Sequence, residues 1–250
     1  HLHRRIALTI MKAIGTEPRR LLLGFIVATA VVSLWISNTA TATMMFPIGM
    51  AVIAQLEIGS GRRLERYGCA VMLSIAYAAN VGGIGTVIGT APNAYFAGYA
   101  QSHLGVKMGF LQYLLIGFPF VILFLALTWW AVWRVGRGDR LESQGGREAV
   151  EAQLTEMGPM SRAERVVLGI FVITALLWVF SQPLTAHLGK PLTRFLGTPM
   201  GSKQLEFSIA LAAGLLLIAL RRADWSHLKR IPWSTLLLLG GSFSMAAGVE

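Results

Sequence analysis

A cluster of neutral polar residues lies at the centre of an apolar run. Ser37, Asn38 and Thr39 occupy the middle of residues 21–56, which contain no charged side chain. Hydroxyl and amide oxygens suit a hard cation such as Na⁺, and these three residue types are favoured helix N-caps. A helix that restarts here presents free N–H groups and the positive end of its dipole, which suit an anion. The cluster therefore predicts a binding site for an anion and a cation.

A second polar interruption lies in the next uncharged run, residues 67–102. Its central sequence, GGIGTVIGTAPN, is rich in glycines, which let a backbone bend and approach a ligand closely. Thr90 is placed to cap a helix that has Pro92 in its first turn, followed by Asn93. We predict that these three residues contact an anionic substrate together with the first cluster, Ser37, Asn38 and Thr39.

Ser33 adds a further oxygen to the first cluster. It stands one helical turn before Ser37 and on the same helix face, so both hydroxyls can reach one sodium ion together with Asn38. Because residues 21–56 and 67–102 contain no Asp, Glu, Lys or Arg, the site is built from neutral groups and helix dipoles. An anion and Na⁺ bound together would neutralise each other, which provides a physical basis for coupling their movement.

The composition places these residues in a membrane protein. Hydrophobic residues make up 54% of the 250-residue chain and charged residues only 14%, with a mean hydropathy of +0.60. The net charge of +10 comes from arginines in short loops beside apolar runs, a pattern of cytoplasmic membrane loops rather than of nucleic-acid binding. The single cysteine, Cys69, excludes an internal disulfide framework.

The length of the first apolar run requires it to break or turn back. One helix over residues 21–56 would be ~54 Å long, against a hydrocarbon core of ~30 Å. We therefore predict a re-entrant hairpin followed by membrane-crossing helices, with an outer loop at residues 183–204. The predicted segments are a cytoplasmic interfacial helix (1–18), the hairpin with its Ser-Asn-Thr tip (19–56), a broken transmembrane helix (67–102), a transmembrane helix (110–134), a cytoplasmic linker (135–165) and the truncated start of a second repeat (166–250).

The basic residues support this topology. Of the 22 Lys and Arg residues, 18 fall in the segments predicted to be cytoplasmic and 4 in those predicted to be outside. A single crossing over residues 21–56 would invert everything downstream and spoil this distribution. The chain does not begin with Met and ends inside an apolar element, so we expect it to be a fragment of a longer protein.

Two stretches, WISNTATATMMFPI and SIAYAANVGGIGTVIGTAPN, resemble the first-repeat motifs of the divalent anion/sodium symporter family. The resemblance implies an all-α polytopic membrane fold with two inverted repeats, each with a re-entrant hairpin that faces a broken helix. It also implies an elevator-type movement, a homodimer, and a multi-pass location in the bacterial inner membrane. The resemblance is strong over residues 1–100 and weaker over 166–250, and the second Ser-Asn-Thr tip is not in this chain.

The resemblance also implies roles for individual residues. Ser37, Asn38 and Thr39 would contact a carboxylate of the substrate. A sodium ion would be held by Ser33, Ser37, Asn38 and a backbone carbonyl near Gly82 or Gly83. The family often has two prolines before the Asn of the second motif, whereas this chain has Ala91-Pro92-Asn93, which leaves the substrate preference more open.

The predicted function is sodium-coupled symport of divalent anions, above all C4-dicarboxylates such as succinate. A sodium-independent dicarboxylate exchanger and a sulfate or citrate transporter are alternatives within the family. A cation/proton antiporter would need a membrane-buried acid or lysine. An intramembrane hydrolase using Ser37 would need a base, and all five histidines fall in predicted loops or at the terminus. We therefore predict a secondary active transporter whose partners are a small anion, Na⁺ and the lipid membrane.

Overall fold

The computed structural model describes residues 2–15, 17–106, 108–139, 145–196 and 201–221, with the single residues 233, 237 and 241. The predicted all-α class is confirmed, because these ranges are helical and contain no strand. The helices found there are α1 (Leu2–Ile14), α2 (Pro18–Ser33), α3 (Asn38–Ser60), α4 (Glu65–Gly83), α5 (Ala91–His103), α6 (Phe110–Gly136), α7 (Gly145–Glu156), α8 (Arg162–Val179), α9 (Ser181–Leu196) and α10 (Ser202–Ala219).

The first apolar run is divided between α2 and α3. The break falls at residues 34–37, immediately before Asn38. The 23 residues of α3 make a helix about 34 Å long. Within the described ranges, α3 and α6 are the two single helices that are long and apolar enough to cross a membrane. The re-entrant placement of α2 and α3 relative to the bilayer stays a prediction.

The helices α2 and α4 run side by side in the same direction. Near their starts, the Tyr67 hydroxyl donates to the Pro18 carbonyl at 2.8 Å, and near their ends Ser33 Oγ donates to the Ala79 carbonyl at 2.6 Å. Gly82 permits this approach, because a Cβ at that position would lie 2.6 Å from Ala30 Cα. The parallel arrangement brings the end of α2 and the end of α4 to the same level, so the two helix breaks are neighbours.

Two further helices, α1 and α7, pack against α2 and α3. α1 packs its buried residues Leu8 and Met11 against α2. α7 packs against α3 and α1, and its Val150 is fully buried in the same apolar core. α7 lies in the segment predicted as a cytoplasmic linker, where the polar composition did not predict a packed helix. Its buried face consists of only a few apolar residues, which is a weak sequence signal.

The structure corrects the predicted outer loop at residues 183–204. α9 runs through most of that segment, up to Leu196. α8 and the first part of α9 are bent by 69° relative to each other around Phe180. Pro183 lies in the first turn of α9, where a proline does not interrupt helical hydrogen bonding. The last part of the predicted second-repeat segment, from residue 222 onwards, lies outside the described residues apart from residues 233, 237 and 241.

Candidate functional site

The two helix breaks meet at Gly83. Asn38, the first residue of α3, lies so close over Gly83 that a Cβ there would overlap its side-chain oxygen. From the other side, Asn93 Nδ2 donates to the Gly83 carbonyl at 2.7 Å and to the Thr86 carbonyl at 2.7 Å. The starts of α3 and α5 are therefore joined through one glycine at the end of α4.

Two acceptor oxygens lie beside the hydroxyl of Ser33, which is fully buried, and the three oxygens together form a small cluster. Ser33 Oγ lies 2.6 Å from the Ala79 carbonyl oxygen and 3.0 Å from Asn38 Oδ1. The single hydroxyl proton can satisfy only one of these two acceptors, so unshared lone pairs face each other. Neutral oxygens of side chains and of carbonyls at helix ends are the groups that hold Na⁺ at broken helices of transporters. The arrangement can therefore accept a small hard cation.

The glycine carbonyls implied by the family resemblance are both engaged in this structure. The Gly83 carbonyl accepts from Asn93, and the Gly82 carbonyl accepts from the Gly85 amide at 3.0 Å. The backbone oxygen closest to Ser33 is instead that of Ala79. Gly82 and Gly83 thus allow close packing around the site, and their role as direct sodium ligands stays a prediction.

The N-cap hydroxyls at the two breaks make no capping hydrogen bond. Ser37 precedes α3 and Thr90 precedes α5, and neither side chain accepts from the first N–H groups of its helix. Ser37 and Thr39 are exposed. At α5, Pro92 has no N–H and the Asn93 N–H bonds the Thr90 carbonyl at 3.1 Å, so most of the donors come from the start of α3. The two adjacent hydroxyls, the first N–H groups of α3 and the positive ends of both helix dipoles can together bind a carboxylate.

Asn93 and Pro92 have a supporting position in this structure. Asn93 is only 8% exposed, and its amide nitrogen donates to two carbonyls of the break. Pro92 lies in the first turn of α5 and is exposed. The Asn93 amide therefore stabilises the segment between α4 and α5, while Thr90 lies at the end of that segment as the N-cap of α5. Direct contact of Asn93 or Pro92 with a substrate stays a prediction.

Two further polar residues join the breaks, and sequence reasoning did not single them out. Thr86 Oγ1 donates to the Leu34 carbonyl at 2.5 Å and accepts from the Gly89 amide at 3.0 Å, so it links the two breaks directly. Asn80 Oδ1 accepts from Asn38 Nδ2 at 3.2 Å. Both residues are amide or hydroxyl groups within the uncharged run 67–102 and beside its glycines, which is the signal that would have identified them.

The whole chain, residues 1–250, matches the family described as the sodium:sulfate symporter transmembrane region. The chain belongs to this family, which confirms the predicted family, and the family's description is that of a transporter rather than an enzyme.

Two curated relatives, both named sodium-dependent dicarboxylate transporter SdcS, match along the whole chain. The one from Staphylococcus saprophyticus is 33% identical over 265 residues and the one from Staphylococcus aureus strain USA300 is 34% identical over 265 residues. Each match covers 100% of this chain and 49% of the relative. The chain therefore spans about half the length of the curated relatives that it matches.

Proposed function

We propose that this chain forms one half of the binding site of a sodium-coupled symporter of divalent anions, with C4-dicarboxylates such as succinate as substrates. The observation that carries the proposal is the meeting of two uncapped helix starts beside a buried oxygen cluster, at Gly83. The names of the relatives, sodium-dependent dicarboxylate transporters, support both the ion and the substrate class.

The sodium ion is assigned to the oxygen cluster. Its side-chain ligands are Ser33, Ser37 and Asn38, and the backbone of α4 supplies a carbonyl at Ala79 or at the glycine pair Gly82 and Gly83. The 2.6 Å and 3.0 Å distances around Ser33 Oγ support Ser33, Asn38 and the Ala79 carbonyl, because they bring these three neutral oxygens together. Ser37 and the two glycines are included on the family resemblance. The absence of an acidic side chain from residues 21–56 and 67–102 leaves the bound ion's charge available to attract the anion.

The substrate carboxylate is assigned to the open side of the same breaks. Ser37, Asn38 and Thr39 contribute from α3, and Thr90 contributes from the start of α5, with Pro92 and Asn93 shaping that start. Because a carboxylate and Na⁺ would both lie next to Asn38, each would stabilise the other electrostatically. This mutual stabilisation is the proposed basis of coupled transport.

The placement in the membrane belongs to the same proposal. The family and the bacterial relatives support a membrane protein. We place it as a multi-pass protein of the bacterial inner membrane, and the homodimer and the elevator-type movement are proposed on the family resemblance alone. The proposed segment roles are an interfacial helix (1–18), a re-entrant hairpin (19–56), a broken crossing (67–102), a crossing (110–134), a cytoplasmic linker that carries α7 (135–165) and part of a second repeat (166–250).

Uptake of labelled succinate by the full-length parent protein in proteoliposomes tests this proposal. Wild-type protein should accumulate succinate with an inward sodium gradient and lose that uptake when potassium replaces sodium. Asn38→Ala should abolish the sodium-dependent uptake. Thr43→Val is the matched control, because the Thr43 hydroxyl lies on the same helix and bonds only the Thr39 carbonyl at 2.8 Å.

The alternatives give different results in the same assay. Equal uptake in both salts would identify a sodium-independent exchanger. Sodium-dependent uptake of sulfate or citrate, combined with no uptake of succinate, would change the proposed substrate but leave the proposed location of the site intact. Unchanged succinate uptake by Asn38→Ala would contradict the proposed location of the site.

A further inference from the structure

The side-chain amide of Asn38 has two ends of opposite polarity, and only one of them suits a cation. In the structure its oxygen faces Ser33 and its nitrogen faces Asn80. A flipped amide would point an N–H₂ group at the oxygen cluster, where it would repel Na⁺ and occupy the lone pairs. Something must therefore hold the amide in the orientation that presents its oxygen to the cluster.

The polarity of Asn80 is set by its own helix. Asn80 Nδ2 donates to the Ala76 carbonyl one turn earlier at 2.9 Å. A carbonyl oxygen only accepts hydrogen bonds, so the nitrogen of Asn80 must be the end that faces it. The remaining end of the Asn80 amide, its oxygen, is thereby directed towards Asn38.

The orientation of the Asn80 amide in turn determines that of the Asn38 amide. Asn80 Oδ1 is an acceptor and lies 3.2 Å from Asn38, so Asn38 must turn its nitrogen towards it. The Asn38 oxygen is then left on the opposite side, 3.0 Å from Ser33 Oγ. One backbone carbonyl in α4 thus determines, through two amides, which atom of Asn38 borders the oxygen cluster.

We propose that Asn80 is a positioning residue for sodium binding, which fixes the Asn38 amide so that its oxygen faces the ion. The inference rests on the proposed function only in that a cation binds beside Ser33 and Asn38. Asn80 itself is not a ligand. It is exposed and lies on the far side of Asn38 from Ser33, and its contribution to sodium affinity is entirely through the orientation of its neighbour.

Two substitutions at position 80 separate this role from a structural one. Asn80→Leu removes the acceptor for Asn38 Nδ2, so the Asn38 amide loses its orientation. Asn80→Asp keeps an acceptor oxygen for Asn38 but, like Leu, loses the hydrogen bond to the Ala76 carbonyl. Because residue 80 is exposed, neither side chain has to fit into a packed core. Tyr77→Phe, at another exposed position of α4, is the control.

The experiment is a sodium titration of the purified full-length protein at constant ionic strength, with choline as the replacement cation. Thermal stability reports sodium binding without requiring transport. We expect Asn80→Leu to raise the half-saturating sodium concentration about tenfold, the size of one lost amide hydrogen bond. Asn80→Asp should stay within about threefold of wild type, because a hydrogen bond to Asn38 Nδ2 is retained. Maximal succinate uptake at saturating sodium should be nearly unchanged in both variants.

The outcomes are distinct from those that test the transport proposal. If Leu and Asp change the sodium midpoint equally, or if neither changes it, Asn80 does not orient Asn38 and the inference is overturned. If wild-type protein responds to sodium but transports no succinate, the substrate proposal fails. The difference in sodium midpoint between Asn80→Leu and Asn80→Asp then still tests whether Asn80 orients Asn38. If wild-type protein shows no response to sodium, both proposals are overturned.

Discussion

The starts of α8 and α3 show two ways of treating the same helix end. At α8, Ser161 Oγ accepts from the Glu164 amide at 3.1 Å and the Glu164 carboxylate accepts from the Ser161 amide at 2.9 Å, a complete capping box. At α3, the N-cap is also a serine, Ser37, yet its side chain makes no capping bond. The same residue type is used for stability in one place and left unused in the other.

Other helix starts away from the breaks resemble that of α8. At α4, the Leu64 amide donates to Glu57 at 2.8 Å and the Tyr67 amide donates to Asp139 at 2.9 Å. At α6, the Phe110 amide donates to Glu206 at 3.2 Å. Each of these N-termini is compensated by a carboxylate of the protein itself. Among the residues that the structure describes, no carboxylate bonds the start of α3 or of α5, which leaves both helix starts to attract an anion from outside the protein.

The strongest test of this contrast is to separate the two breaks at their meeting point. Gly83→Ala places a methyl group where the Asn38 side chain lies, so Asn38 must move. We expect sodium-dependent uptake to fall about 10- to 100-fold, because overpacking of this kind typically costs ~1–3 kcal/mol. Gly98→Ala in α5 is the control, since a Cβ there meets nothing within 4 Å. Equal losses for both variants would show that the contact at Gly83 has no special importance.

The oxygen cluster is tested by removing the Ser33 hydroxyl. Ser33→Ala deletes an oxygen that lies within 3.0 Å of Asn38 Oδ1 and within 2.6 Å of the Ala79 carbonyl oxygen. We expect the half-saturating sodium concentration for uptake to rise about tenfold. The control is Ser74→Ala, because Ser74 is also a buried serine but bonds the Ala70 carbonyl of its own helix at 2.7 Å. A larger effect at Ser74 would contradict the assignment.

Replacing each of the two N-cap serines should change a different property, the stability of the fold for Ser161 and the affinity for succinate for Ser37. Ser161→Ala removes a working cap and should lower the free energy of unfolding by about 1 kcal/mol without changing substrate affinity. Ser37→Ala removes no capping bond, so it should leave thermal stability nearly unchanged and raise the half-saturating succinate concentration instead. Melting curves and uptake kinetics of the two variants measure both quantities. If Ser37→Ala lost as much stability as Ser161→Ala, Ser37 would act as an ordinary helix cap, and the proposed difference between the starts of α3 and α8 would be wrong.

The smallest effect concerns a charged contact far from the breaks. Hydrogen bonds from Arg147 and then from Lys12 lower the pKa of the partly exposed Glu151 carboxyl below its usual 4.5. A lowered pKa in the folded state stabilises the fold above the unfolded value, and this contribution is lost as the pH falls from about 4.5 through the folded pKa. Glu151→Gln should slightly reduce the pH dependence of the melting temperature in that range, with no effect on sodium affinity at neutral pH.

The positions of both breaks could be predicted from the sequence for physical reasons. A run as long as residues 21–56 cannot form one straight helix within a bilayer, and its polar residues mark where it ends. The structure separates α2 from α3 at residues 34–37 and α4 from α5 at residues 84–90, at or beside the predicted polar clusters. The helix-cap residues and the proline at these breaks were therefore the main sequence features that predicted where the candidate site lies.

The remaining features depend on how the helices pack against each other, and the local pattern of a sequence carries no information about that packing. The Ala79 carbonyl and Asn80 become part of the cluster only through the parallel register of α2 and α4. α7 was not predicted because its segment is polar and only a few of its residues enter the core. α9 was not predicted because prolines such as Pro183 and Pro191 are typical of loops, whereas both lie within the helix.

The most direct test of the central claim is a binding measurement in which sodium and succinate are varied together on the purified full-length protein. If both ligands share Asn38, succinate should bind more tightly as sodium increases, and sodium affinity should rise by the same factor with saturating succinate. Asn38→Ala should reduce this factor towards one. Equal affinities for succinate with and without sodium in the wild-type protein would contradict a shared site at the two helix breaks.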